Sequence, residues 1–119
     1  MSAPESPFDA GATTAAGYRD ITPAQALAAR GAVRLVDVRE PDEWVGELGH
    51  IAGAELVPLA QVEARAAAWD RGADVILICR SGGRSGRAAE ALTRAGFTRV
   101  MNMAGGMIAY GAAGLPIER

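Results

Sequence analysis

One short segment gathers residue types that do chemistry together: Cys79-Arg80-Ser81-Gly82-Gly83-Arg84-Ser85. Cys79 is the only cysteine, so no internal disulfide can form, multi-cysteine metal sites are excluded, and the residue acts as a lone thiol. Gly82 and Gly83 permit positive φ angles and close approach, which lets successive amide hydrogens converge on an anion. A helix beginning at the end of the segment, with Arg84 or Ser85 in its first turn, would aim its positive dipole end at the same point. Together with the charges of Arg80 and Arg84, such a field favours thiolate over thiol. The chemistry expected is attack by Cys79 on an electrophile that carries negative charge, the same donors then stabilising whatever the sulfur holds. The plainer alternative is an inert thiol closing a buried strand. It leaves two arginines and two glycines within five residues of the sulfur without a purpose.

The elements that must position this loop can be read on either side of it. DVILIC is β-branched and bounded by Asp74 and the glycine loop, and reads as a buried strand delivering Cys79 at its carboxyl end. SGRAAEALTRAG follows as a helix, with Ala88, Leu92 and Ala95 on one face, Glu90 and Arg94 spaced as a pair, and Gly96 as the stop. Upstream, Thr22-Pro23 caps a helix that Gly31 ends, and VRLVDV reads as a second buried strand with Asp37 and Arg39 at its exit. PDEW starts a helical turn, GHIAGAELVP leads into a brief strand, and Leu59 to Trp69 has helical spacing. FTRVMNM is a further strand, Gly105-Gly106 a turn that lets backbone pass close to the loop, and Met107 to Ala113 a last helix. Residues 1–17 show no periodicity and read as a flexible tail, leaving residues 18–119 as one domain. Strands and helices alternating at short intervals predict an α/β fold with a mainly parallel sheet covered on both faces, and ligands bind outside the carboxyl ends of such strands.

Size and charge narrow the function. A chain of 119 residues holds one core, so the site is built within a single domain. With 14 acidic against 12 basic residues there is no overall positive field to hold nucleic acid or an anionic membrane. No basic-then-apolar leader precedes Arg19, and no apolar run approaches the roughly twenty residues needed to cross a bilayer, which predicts a cytoplasmic protein.

Four segments, in this order and spacing, give the chain a resemblance to the rhodanese-like sulfurtransferases from about Ile21 to Glu118: DVREPDEW at 37–44, GHIAGAELVPL at 49–59, ILICRSGGRS at 76–85 and GGMIAYGAAGLPIE at 105–118. The resemblance implies a three-layer fold with a central, mainly parallel five-stranded sheet flanked by helices. It implies that Cys79 takes a sulfane sulfur from an anionic donor such as thiosulfate, becomes a persulfide, and passes the sulfur to a thiol or cyanide acceptor, or to a thioredoxin-like or sulfur-carrier protein. In that scheme the amides of Arg80, Ser81, Gly82, Gly83, Arg84 and Ser85 hold the persulfide, Arg80 and Arg84 receive the donor, and no metal or cofactor takes part. Relatives acting on mercaptopyruvate carry a less basic loop, which turns the expectation toward thiosulfate. The chain departs from the usual pattern in a longer Trp44 to His50 stretch, in Ala52 where proline is common, and in Tyr110 where tryptophan is common.

The same residues bear on other functions. A cysteine-dependent phosphatase or arsenate reductase places one more residue between cysteine and arginine than the four found here, and a shorter loop makes a tighter ring of amides. A rhodanese-like binding or sulfur-sensing module is the remaining alternative, usually marked by a missing cysteine. His50 reads as an organiser of a local turn or as a general base. Asp37 and Arg39 read as an internal salt bridge tying loops together or as a substrate contact, in either case around the site and not at its centre. Trp44, Trp69, Met101 and Met103 read as core or lid, and Glu63, Arg65, Asp70 and Arg71 as a solvated surface.

Overall fold

The VILI run at 75–78 is apolar throughout because neither of its faces meets water. In the computed structural model, which describes residues 6–119, the elements in chain order are α1 (Pro7–Ala10), β1 (Ala12–Thr13), β2 (Arg19–Ile21), α2 (Pro23–Ala29), β3 (Arg34–Asp37), α3 (Pro41–Trp44), β4 (Glu55–Leu56), a 3-10 turn (Leu59–Gln61), α4 (Val62–Ala66), β5 (Asp74–Ile78), α5 (Gly83–Arg94), β6 (Arg99–Met103) and α6 (Gly106–Ala112). They form one sheet in the order β1-β2-β6-β5-β3-β4. Every neighbouring pair is parallel except β1 with β2. With β5 in the interior, its pleat sends Val75, Leu77 and Cys79 to one face, where Val62, Ala88, Leu92 and Phe97 cover them. Ile76 and Ile78 go to the other, against Ile21, Met101, Met107 and Tyr110. Both faces are dry, which is the physical reason the strand reads as continuous and not alternating.

The expected α/β sheet is present, with a sixth strand. Five strands run parallel, and β1 adds two antiparallel residues at the edge, with Ala12 opposite Asp20 and Thr13 opposite Arg19. That strand lies in the segment read as a flexible tail. Residues 1–5 are outside the described residues, but from Ser6 onward the chain is tied down. The Ser6 hydroxyl caps α1 at Phe8 N, and Pro7 occupies the first helical turn. Phe8 is buried beneath two guanidinium groups, Arg19 at 4.2 Å and Arg99 at 4.7 Å from the ring centroid. Contacts of that kind contribute about 0.5–1 kcal/mol each where exposed. One aromatic in a polar stretch carries no period, so only the packed fold reveals its partners.

The local signals elsewhere act as expected. Thr22 and Gln25 form a reciprocal capping box at the start of α2, with bonds of 3.1 and 2.8 Å. The helix expected over Leu59 to Trp69 is split into the 3-10 turn and α4, ending at Ala66. Trp69 lies beyond it, half-buried beneath the Arg34 guanidinium at 4.5 Å. Among the described residues no helix is long and apolar enough to cross a membrane.

Candidate active site

β3, β5 and β6 end side by side, and their carboxyl ends bring together Asp37, Cys79 and Asn102. After Cys79 the chain must reverse from strand to helix in a few residues. Gly82 takes φ +102° at the N-cap of α5, a conformation that side-chain-bearing residues rarely adopt. The carbonyl oxygens of Cys79 and Arg80 turn away from the sulfur and accept bonds from Met107 N (2.8 Å) and Ile108 N (3.0 Å), the first turn of α6. That approach depends on Gly106, where a Cβ atom would lie 2.5 Å from the Cys79 and Arg80 carbonyl oxygens. The Gly105-Gly106 turn therefore carries backbone against the cysteine loop, as its sequence suggests.

With the carbonyls held outward, donors face the sulfur. Gly82 N donates to Cys79 Sγ at 3.0 Å and the Ser85 hydroxyl lies 3.2 Å from it. Burial pushes the Cys79 thiol up, but the Ser85 hydroxyl and the amides of Ser85, Gly82 and Ser81 outweigh it and hold the thiol below its ordinary value. Neither arginine is among the leading causes. The donors are main-chain amides, which move little and cost little to reorganise when charge develops, and the Ser85 hydroxyl, whose single proton is shared between Sγ and the nearer Asn102 Oδ1.

The arginines are placed differently from each other. Arg80 is exposed and forms no ion pair among the described residues. Arg84 extends to α3, where its two terminal nitrogens donate to both carboxylate oxygens of Glu43 at 2.7 and 2.8 Å. This forked bond from Arg84 is the main reason the Glu43 carboxyl is lowered to about 2, against the opposing effect of burial. An open groove of about 480 Å³ begins beside the loop, lined by Arg39, Glu43, Glu47, Leu48, Arg80 and Ile108.

Of the two readings for Asp37 and Arg39, the structure has the internal salt bridge. Both are 1% exposed. Arg39 Nε and Nη2 donate to Asp37 at 2.9 and 2.7 Å, Nη2 also donates to Gly49 O at 2.7 Å, and Nη1 to Glu43 O at 3.3 Å. The pair ties the exit of β3 to α3 and to the Gly49 turn. His50 is likewise an organiser: its Nδ1 is 2.8 Å from Trp44 O and its ring stacks on Trp44 at 3.7 Å. Its backbone exchanges two bonds of 2.8 Å with Glu118, closing the C-terminal segment onto the domain.

Two residues at the site were not singled out from sequence. Glu43 lies in PDEW, where its partner 41 positions away is not visible. Asn102 is buried at the end of β6, where the Ser85 hydroxyl meets Asn102 Oδ1 at 2.5 Å, and Asn102 Nδ2 donates to Asp20 at 3.1 Å and to Gly82 O at 3.4 Å. A polar residue closing an otherwise apolar strand was the available signal, since ligands gather at that edge of the sheet.

The site is thus one thiol facing amide and hydroxyl donors at the carboxyl edge of a mainly parallel sheet in an α/β domain. Residues 21–113 match the profile of the Rhodanese-like domain, and the chain belongs to that family. It is 41% identical over 92 residues to an uncharacterized protein of Synechocystis, covering 77% of this chain and 50% of that protein. To a sulfurtransferase of Allochromatium vinosum it is 40% identical over 93 residues, covering 78% and 85% respectively. Among solved structures it is similar to a rhodanese-related protein from Thermoplasma volcanium, with a TM-score of 0.73 at 29% identity over 83% of this chain and 96% of that one. The chain thus spans half the length of the Synechocystis relative and most of the other two.

Proposed function

We propose that the domain moves sulfane sulfur through a persulfide on Cys79. The supporting observation is the Cys79 sulfur itself, met by the Gly82 amide at 3.0 Å and the Ser85 hydroxyl at 3.2 Å inside a loop tied back by α6. With thiosulfate, the thiolate attacks the outer sulfur, a new S–S bond forms, and the old one breaks with its electron pair leaving on sulfite. The cysteine is left as a persulfide whose terminal sulfur carries the charge, within reach of the same donors. A nucleophilic acceptor, cyanide or a thiolate, then attacks that terminal sulfur, and the electron pair returns to Cys79. No external oxidant or reductant is needed in either half. A groove of about 480 Å³ opens beside Arg80, next in the chain to Cys79, and supports approach of the acceptor from that side, whether a small thiol, cyanide, or a sulfur-carrier or thioredoxin-like protein. The name of the Allochromatium vinosum relative supports the same reading.

The test is incubation with thiosulfate followed by intact mass measurement and a thiosulfate:cyanide assay. One sulfur atom, removable by reductant, is expected on the wild-type protein and none on Cys79→Ser, which should have no transferase activity. Full activity in Cys79→Ser would reject the assignment, and no adduct on the wild type would favour a binding module.

A further inference from the structure

The loop has two arginines, and among the described residues only Arg84 has a carboxylate partner. Arg84 is held by both oxygens of Glu43 at 2.7 and 2.8 Å, with side-chain exposures of 30% and 25%, so the pair is open to solvent and to an incoming anion. Arg39 is neutralised by Asp37 inside the protein. Glu47 adds a negative charge to the groove wall, and Glu40 and Asp42 lie exposed at the start of α3. Of the two loop arginines, Arg80 is therefore the one with no carboxylate partner among the described residues. A dianionic donor finds less positive charge than the sequence CRSGGR advertises.

We propose that Glu43 is a specificity-determining positioning residue that, by occupying the Arg84 guanidinium, selects sulfur donors carrying a single negative charge over dianionic ones. The inference rests on the sulfur-transfer reading above and names the donor class for that site. Glu43 acts through Arg84 and does not touch the reacting sulfur. Its carboxylate competes with an incoming anion for the same two N–H groups, and the competition is harder for a donor that also carries the second charge toward Glu43 and Glu47. A singly charged thiosulfonate or small-thiol persulfide can be met by Arg80 alone. For a thiosulfonate the attack on the outer sulfur breaks the bond to the sulfonyl sulfur, and the pair leaves on a sulfinate.

Thiosulfate and methanethiosulfonate test this directly, because both place the transferable sulfur on an oxidised sulfur and they differ by one charge. Steady-state kinetics with cyanide as acceptor should give wild type a higher kcat/KM for methanethiosulfonate. Glu43→Gln should lower KM for thiosulfate by about two- to fivefold, on the scale of one partly exposed charge pair, and lower KM for methanethiosulfonate by less. Glu43→Asp, which keeps the charge, should restore the wild-type ratio. An unchanged ratio in Glu43→Gln, or an equal loss on both donors, would overturn the role of Glu43 while leaving sulfur transfer in place. Failure of both donors to add sulfur to Cys79 in the wild type, read by intact mass, would overturn the sulfur-transfer reading and this inference with it.

Discussion

Two arginine–carboxylate pairs stand near the cysteine loop, alike in chemistry and opposite in setting. Arg39–Asp37 is sealed at 1% exposure on each side and satisfies two further carbonyl oxygens, whereas Arg84–Glu43 sits at the rim and contacts solvent. In the first, desolvation makes loss of one partner expensive, because the other remains a buried charge. In the second, water can replace either partner, so the pair contributes little to folding and is available to be exchanged for a ligand. Burial, and not the identity of the residues, separates a brace from a gate.

The largest expected effect tests the brace. Arg39→Leu should lose about 3–5 kcal/mol of unfolding free energy in a denaturant titration, since Asp37 and the Gly49 carbonyl are left without their donors. A loss under about 1 kcal/mol would place the two pairs in the same class.

A second measurement asks what keeps Cys79 ionised. If hydrogen bonds do so, Ser85→Ala should raise the thiol pKa and slow alkylation near neutral pH by about tenfold. Arg84→Ala should change alkylation less, because its charge is already engaged by Glu43. The reverse order would mean that the arginine, and not the ring of donors, sets the thiol.

The smallest effect tests the gate as a stability element. The folded Glu43 carboxyl is lowered from 4.5 to about 2, so its contribution is fully present above about pH 4.5 and is lost as pH falls toward about 2. Partial exposure keeps that contribution within about 1 kcal/mol. Acid titration of wild type against Glu43→Gln should show the two stability curves converging over that window and parallel above it. A difference that persists below about pH 2 would assign Glu43 a role other than its charge.

Much of the site could be read from residue types in order. A β-branched run before Cys79, glycines after it and a helical period beyond them set a thiol at a strand-to-helix junction. The capping residues Thr22 and Gln25, and the close passage at Gly105-Gly106, follow from local chemistry that acts over a few positions. Asp37 and Arg39 were open between two readings, and their neighbours at Gly49 and Glu43 decided for the salt bridge. Glu43 itself and Asn102 were missed because each acts on a residue far along the chain, Arg84 in one case and Asp20 in the other. Phe8 was missed for the same reason, its covering guanidiniums belonging to Arg19 and Arg99.

By itself the sequence determined most of the elements beyond residue 18 and the loop that carries the thiol, because backbone conformation and helix and strand periods are settled by near neighbours, whereas α1 and β1 carry no such period. Which loop arginine is engaged by a carboxylate was decided only when folding brought Glu43 of α3 within reach of Arg84 of α5. A charge has no preferred partner along the chain; it takes the one that folding brings within hydrogen-bond distance, and that choice made Arg80 and Arg84 unequal.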